Sequence, residues 1–193
     1  MAKGNKLSNC LASIQIEDAR QLSYEDNYAD FIVLNGPLYH LTEESDRLQV
    51  LRECYRVLRP NGVILAFVIG RISGLMYSLN SGAVFHDDYF TMVKHEIITG
   101  VRSNAEGKNK TFLEAYFHNS KDLNHEMTIC GFEVRKIKGV LGQAWNVQSL
   151  EDSILDGQRR KRLMEVARLM EEMPDFSPKI LGIGIKLNTR GHS

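Results

Sequence analysis

Cysteine, one-sided charge and long apolar runs are all scarce in this chain, and each scarcity removes a class of protein. The 193 residues hold three cysteines, Cys10, Cys54 and Cys130, with no CxxC pair among them. Scattered thiols build neither a disulfide framework nor a zinc knuckle, and they read as reduced cysteines of a cytoplasmic protein. Lysine and arginine (24) balance aspartate and glutamate (24), so no excess of positive charge points to nucleic acid. The one basic run, Arg159–Arg160–Lys161–Arg162, therefore reads as the solvated face of a helix. No apolar stretch approaches the roughly 20 residues that a membrane span requires, so no membrane partner is expected. Lys3 and Lys6 precede no apolar segment, and no signal peptide is visible. Internal repeats and low-complexity tracts are also missing.

Familiar catalytic signatures are equally thin. His95–Glu96–Ile97–Ile98–Thr99 and His125–Glu126–Met127–Thr128–Ile129 each lack the second histidine of HExxH. His86–Asp87–Asp88 reads as a polar helix start, because three adjacent residues do not easily face one ion; no metal is expected. Gly70–Arg71–Ile72–Ser73–Gly74 has the wrong spacing for a nucleophile elbow. Gly182–Ile183–Gly184 has no helix after it and is no dinucleotide fingerprint; small residues that let a helix pack closely account for it better.

What is present is a βαβ unit from Asp30 to Val68. The length and a hydrophobic share of 43% suit one domain with a substantial core. Phe31–Ile32–Val33–Leu34 is a short continuous apolar run, as in a strand buried on both faces. Asn35–Gly36–Pro37 breaks it. Thr42 is placed to cap the following helix, with Glu43 and Glu44 at the positive end of its dipole. Leu48, Leu51, Tyr55 and Leu58 recur at helical spacing. Pro60 ends that helix, and Asn61–Gly62 turns the chain. Val63 to Val68 is a second buried strand, expected parallel to the first.

Around this unit, Ser13–Ile16 alternates like a strand. Leu75, Met76 and Leu79, then Tyr89, Phe90 and Val93, give helical faces between residues 71 and 98. Residues 99–110 are a polar loop, and Thr111–Phe117 reads as a strand. Lys121–Ile129 reads as a helix capped by Asn119 or Ser120 and stopped by Gly131. Phe132–Ile137 alternates like a strand near a sheet edge. Residues 149–157 suggest a short helix, and Gln158–Met173 a longer one with Leu163, Val166, Ala167 and Met170 on one face. Pro174 and Pro178 bracket a turn before a last strand, Ile180–Leu187.

Two stretches carry a family resemblance. DFIVLNGPLYHL and DRLQVLRECYRVLRPNG resemble the middle and late motifs of class I S-adenosylmethionine-dependent methyltransferases, closest to the small-molecule, type 11-like branch. Cys130–Gly131–Phe132–Glu133–Val134 resembles that family's late pattern. Asn61 stands where the family has a second glycine, and asparagine holds the same left-handed turn. The resemblance implies an α/β fold, Rossmann-like but partial: a mostly parallel sheet, a final antiparallel strand, and helices on both faces. It implies a single domain over 1–193 with an inserted lid at 71–110. The family's opening strand and glycine-rich loop have no counterpart, because Gly4 is the only glycine ahead of Gly36. The domain is thus expected to be N-terminally incomplete, with a complementing N-terminal segment or a homo-oligomer as partner.

The resemblance also implies a cofactor, S-adenosyl-L-methionine, and a small-molecule methyl acceptor. Asp18 and Ala19 would meet the adenine, and Asn35 and Gly36 the methionine end. Tyr39 and His40 would sit near the methyl group and the acceptor. The residues alone leave Asp18 equally able to close a turn on its own backbone. His40 is a candidate general base, or else it orders its loop by hydrogen bonding. A non-catalytic remnant serving as an interaction or assembly module is the other reading of the same features. A different nucleotide-binding α/β protein is disfavoured by the lack of a phosphate loop.

Overall fold

A computed structural model describes residues 12–103, 114–140, 142, 147 and 149–188. Ala29–Asn35 (β1) and Leu58–Ile69 (β2) pair in parallel. Pro37–His40 (α1) and Glu44–Val57 (α2) connect them, so the expected βαβ unit is present. The helix α2 buries Val50, Leu51, Cys54 and Val57, and Leu58 lies fully buried just beyond it. Asn61 takes φ 67°, the left-handed turn expected of it. Pro60 falls within β2, where the pairing register slips between Ala29–Leu58 and Phe31–Val63.

The four-stranded sheet runs β1, β2, then Lys179–Ile185 (β6), then Glu133–Val140 (β5). The last strand in sequence lies antiparallel to both its neighbours, so β1, β2 and β5 all point one way. Ser120–Ile129 (α5) packs beside α2 on one face, where Leu123 and Met127 join Ile64, Ala66, Val68 and Ile180 in the core. On the opposite face Gly157–Glu171 (α7) sets Ala167 over Leu181 and Ile183. Leu163, Val166, Ala167 and Met170 are its half-buried residues, as their spacing indicates. Leu150–Leu155 (α6) precedes it. Asn119 caps α5 by accepting from the Asp122 amide at 2.8 Å.

Glycines 182 and 184 explain how closely α5 approaches. A Cβ on Gly182 would stand 2.5 Å from Met127 Sδ, and one on Gly184 2.8 Å from Met127 Cε. Gly182→Val should therefore cost about 1–3 kcal/mol through overpacking. Denaturant melts read this directly. In a cycle with Met127→Ala the two changes should couple favourably, since the smaller side chain vacates the contested space.

Four expectations need correction. β1 is not buried on both faces: Phe31 and Val33 are exposed, because among the described residues β1 is an edge strand paired with β2 alone. Ser13–Ile16 is not a strand: it takes no regular structure, Ile14 and Ile16 are exposed, and among the described residues no strand pairs with it. Thr42 does not cap α2; Glu43 holds that position without a side-chain bond, while the Thr42 carbonyl is taken by Arg47. The strand expected at Thr111–Phe117 is limited, among described residues, to Ala115–Tyr116 (β4), paired with Val101–Arg102 (β3). Glu114 and Phe117 are outside that strand, while residues 111–113 and most of the polar loop before them lie outside the described residues.

Candidate active-site loop

The loop after β1 is built by two features of its sequence. Gly36 sits at φ 135°, a conformation that side chains rarely adopt, and Pro37 follows at the first position of α1. Leu38 then points into the core and is fully buried, which pins α1 to the domain. Its neighbours are left at the surface. Asn35 and His40 are exposed and Tyr39 is half-buried. The Tyr39 and His40 rings face one another at 4.7 Å, tilted by 51°. A Cβ added at Gly36 would meet only the Tyr39 hydroxyl, at 3.9 Å, so the backbone there is open to approach.

Asp18 and Ala19 are tied through Arg20 to the first turn of α2. Arg20 donates from its backbone and Nε to Asp18 Oδ1 at 2.9 and 3.0 Å, and from Nη2 to Oδ2 at 2.7 Å. Its Nη1 reaches Asp46 in the first turn of α2 at 2.9 Å, next to where the loop ends. The hydrogen bonds from the Arg20 side chain and backbone hold the Asp18 carboxyl down to about 2. The Gln21 amide donates to the Asp18 carbonyl, so this residue also closes a turn on its own backbone. Ala19 packs against the core cluster.

A buried polar network under the loop escaped the sequence reading. Arg47 on α2 is 3% exposed and pairs with Glu126 on α5, also 3% exposed, at 2.8 Å. Glu126 Oε2 receives His118 Nε2 at 3.1 Å, and the Tyr116 ring lies 3.6 Å under the Arg47 guanidinium. Burial pushes the His118 imidazole below its ordinary value despite Glu126 beside it. Burial alone would raise the Glu126 carboxyl, but the His118 and Arg47 interactions hold it below the usual range. One sign was available in the sequence: Arg47 falls in phase with Val50, Leu51, Cys54 and Leu58. A charge on the apolar stripe of a helix needs a buried partner.

Beyond β2 come Ser73–Ser81 (α3) and Asp87–Thr99 (α4), with His86 at the cap of α4 and Asp87 and Asp88 in its first turn. Met76 and Val93 are buried, whereas Tyr77, Leu79, Phe85, Phe90 and Ile98 are exposed. The fully buried Glu96 accepts from the Gly74 amide at 3.2 Å and from Arg102 Nε at 2.6 Å, which ties α3 to α4. Among the described residues no group of three or more His, Cys, Asp or Glu could hold a metal ion. No described helix is long and apolar enough to cross a membrane.

Residues 1–66 match the type 11 family model described as a methyltransferase domain. No curated protein matches the chain. A SAM-dependent methyltransferase structure from Methanosarcina mazei is 19% identical with a TM-score of 0.55, covering 90% of this chain and 66% of that one. An S-adenosylmethionine-dependent methyltransferase from Mesorhizobium loti is 11% identical, with a TM-score of 0.49, covering 88% and 67%. A complex between the Haloferax volcanii Trm112 methyltransferase activator and a protein described as a methyltransferase matches at 14% and a TM-score of 0.47, covering 92% and 62%. The chain thus spans about two thirds of the length of these solved structures. The chain shares the fold of the Methanosarcina mazei structure over 90% of its length, and its residues 1–66 match a methyltransferase domain model.

Proposed function

We propose that the chain binds S-adenosylmethionine beyond the carboxyl ends of β1 and β2 and transfers its methyl group to a small-molecule acceptor in the cytoplasm. The observation that carries this reading is the parallel pairing of β1 with β2, with the Asn35–His40 loop at the end where open α/β sheets take their ligands. The residues there suit such a cofactor. Gly36 offers open backbone and the Tyr39–His40 pair offers aromatic faces beside it, the surface that a sulfonium cation favours. Asn35 and Gly36 would hold the methionine end, and Ala19 and Asp18 the adenine, with Asp18 sharing its carboxylate with Arg20.

When bound, the cofactor supplies a methyl group already activated by positive sulfur. The protein's task is then alignment and exclusion of water. Tyr39 and His40 would orient the acceptor, and His40 would take its proton where the acceptor must lose one. The segment 71–110 would cover them as a lid, with the exposed Tyr77, Leu79 and Phe90 available to an apolar acceptor.

Titration with S-adenosylhomocysteine tests the reading. The expected dissociation constant for this 193-residue chain is weaker than ~10 μM, about −7 kcal/mol, because its residues 1–17 hold a single glycine, Gly4. Amide signals of Ala19, Asn35 and Gly36 should move as the ligand is added. No movement at millimolar ligand would overturn the reading.

One observation favours a second reading, a non-catalytic interaction module. Among the described residues β1 pairs with β2 alone, and its Phe31 and Val33 are 53% and 56% exposed. A free edge with apolar side chains favours a protein partner. A stable oligomer by light scattering, with no ligand-induced shifts, would select it.

A further inference from the structure

We infer that Arg47 is a positioning residue for the Asn35–His40 loop, holding it in shape from below through a buried network that touches no ligand. The inference rests on the donor-site reading above for its functional consequence, though not for its geometry. Arg47 spends its donors in two directions. Nη1 reaches the Leu41 and Thr42 carbonyls at 3.1 and 2.7 Å, just past the loop. Nε and Nη2 reach Glu126 Oε1 at 2.9 and 2.8 Å.

Leu38 anchors one side of α1 by burial, and Arg47 anchors its exit by hydrogen bonds to carbonyls that no helix satisfies. Tyr39 and His40 lie between these two anchors. The planar fork of arginine allows both sets of bonds at once, whereas lysine has a single nitrogen on a flexible stem.

The far end of the network is equally fixed. Glu126 is held by His118, whose ring is fully buried and packs edge-on against the Tyr116 ring, centroids 4.6 Å apart. The His118 amide donates to the Ile69 carbonyl, and the His118 carbonyl accepts from the Arg71 amide, at the end of β2. Arg47 is thereby braced against the strand that leads into α3. The loop's exit and the start of the segment beyond β2 are thus joined through three side chains.

Arg47→Lys keeps the positive charge beside Glu126 but cannot make both sets of bonds. Amide hydrogen exchange over residues 38–43 should accelerate by ~10-fold or more, the scale of lost bonds to a charged donor. Exchange in β2 and β6 should stay near the wild-type rate. S-adenosylhomocysteine affinity should fall by a similar factor. Glu126→Gln serves as the second variant, since it leaves the Arg47 bonds to both carbonyls in place; its loop should exchange more slowly than that of Arg47→Lys.

Unchanged exchange at 38–43 in Arg47→Lys, or equal acceleration across the whole sheet, would overturn the positioning role. Faster loop exchange in a chain whose wild-type form shows no ligand shifts would sink the donor-site reading and leave the positioning role standing. Faster loop exchange with unchanged affinity would refute the link between the two.

Discussion

Glu126→Ala should destabilise the protein by about 3–5 kcal/mol, the cost of leaving a buried charge without its partner. Arg47 has no route to solvent in the folded state, so it cannot recover water in exchange for the lost carboxylate. His118 Nε2 would lose its acceptor as well. At this chain length the loss corresponds to a melting temperature lower by roughly 6–20 °C. Removing both ends together, as Arg47→Met with Glu126→Leu, should recover much of the loss, because apolar replacements of a buried pair are often neutral.

The same cluster contributes to the loss of stability in acid. His118 has a folded value below its ordinary 6.5, so the unfolded chain takes up a proton first as pH falls. Its contribution is complete above 6.5 and erodes below it. Glu126 is also held below its ordinary 4.5, so its contribution is complete above 4.5 and is lost as pH falls through the depressed value. Melting temperature should therefore decline from about pH 6.5 downward and faster below 4.5. A melt that is flat from pH 7 to 4 would contradict this account.

Leu38→Ala should cost about 2–5 kcal/mol, the usual range for a large core residue cut to a methyl. Leu38 is fully buried, yet it belongs to a helix of only four residues. One short turn has little cooperativity of its own, so its place depends on tertiary anchors, of which Leu38 is the apolar one. The loss should fall on the loop as well as on global stability. The Tyr39 and His40 signals should broaden or shift more than those of β5, a difference that amide and aromatic NMR spectra resolve. Leu38→Met, nearly equal in volume, should restore most of both.

The central βαβ unit was legible because its signals are local. Four apolar residues, a Gly–Pro break, one helical stripe and Asn61 each act within a few positions. The same holds for Asn119 as a cap, and for the glycines of β6, whose role under a helix follows from their size. Ser13–Ile16 misled because alternation specifies a strand only when a neighbour offers its edge. Thr42 misled because the helix begins one residue later than its capping role requires, with Glu43 at the cap. The Arg47–Glu126 pair spans 79 positions, and its spacing carries no trace of the fold that joins them. Its one local sign was a charge in phase with an apolar stripe. The roles of Asp18, Ala19, Asn35, Gly36, Tyr39 and His40 came from family resemblance, since their residue types alone allow turns and loop contacts as readily.

The place of β6 bears on how the polypeptide matures during synthesis. This strand forms between two others, and it is the last of them to leave the ribosome. Until it emerges, among the described residues β2 lacks one neighbour and β5 has none, so both strands stay unpaired along an edge until Lys179–Ile185 has been made. Such an arrangement is dominated by distant pairings and assembles slowly. The natural safeguards for it are those of a chain that must be shielded while incomplete.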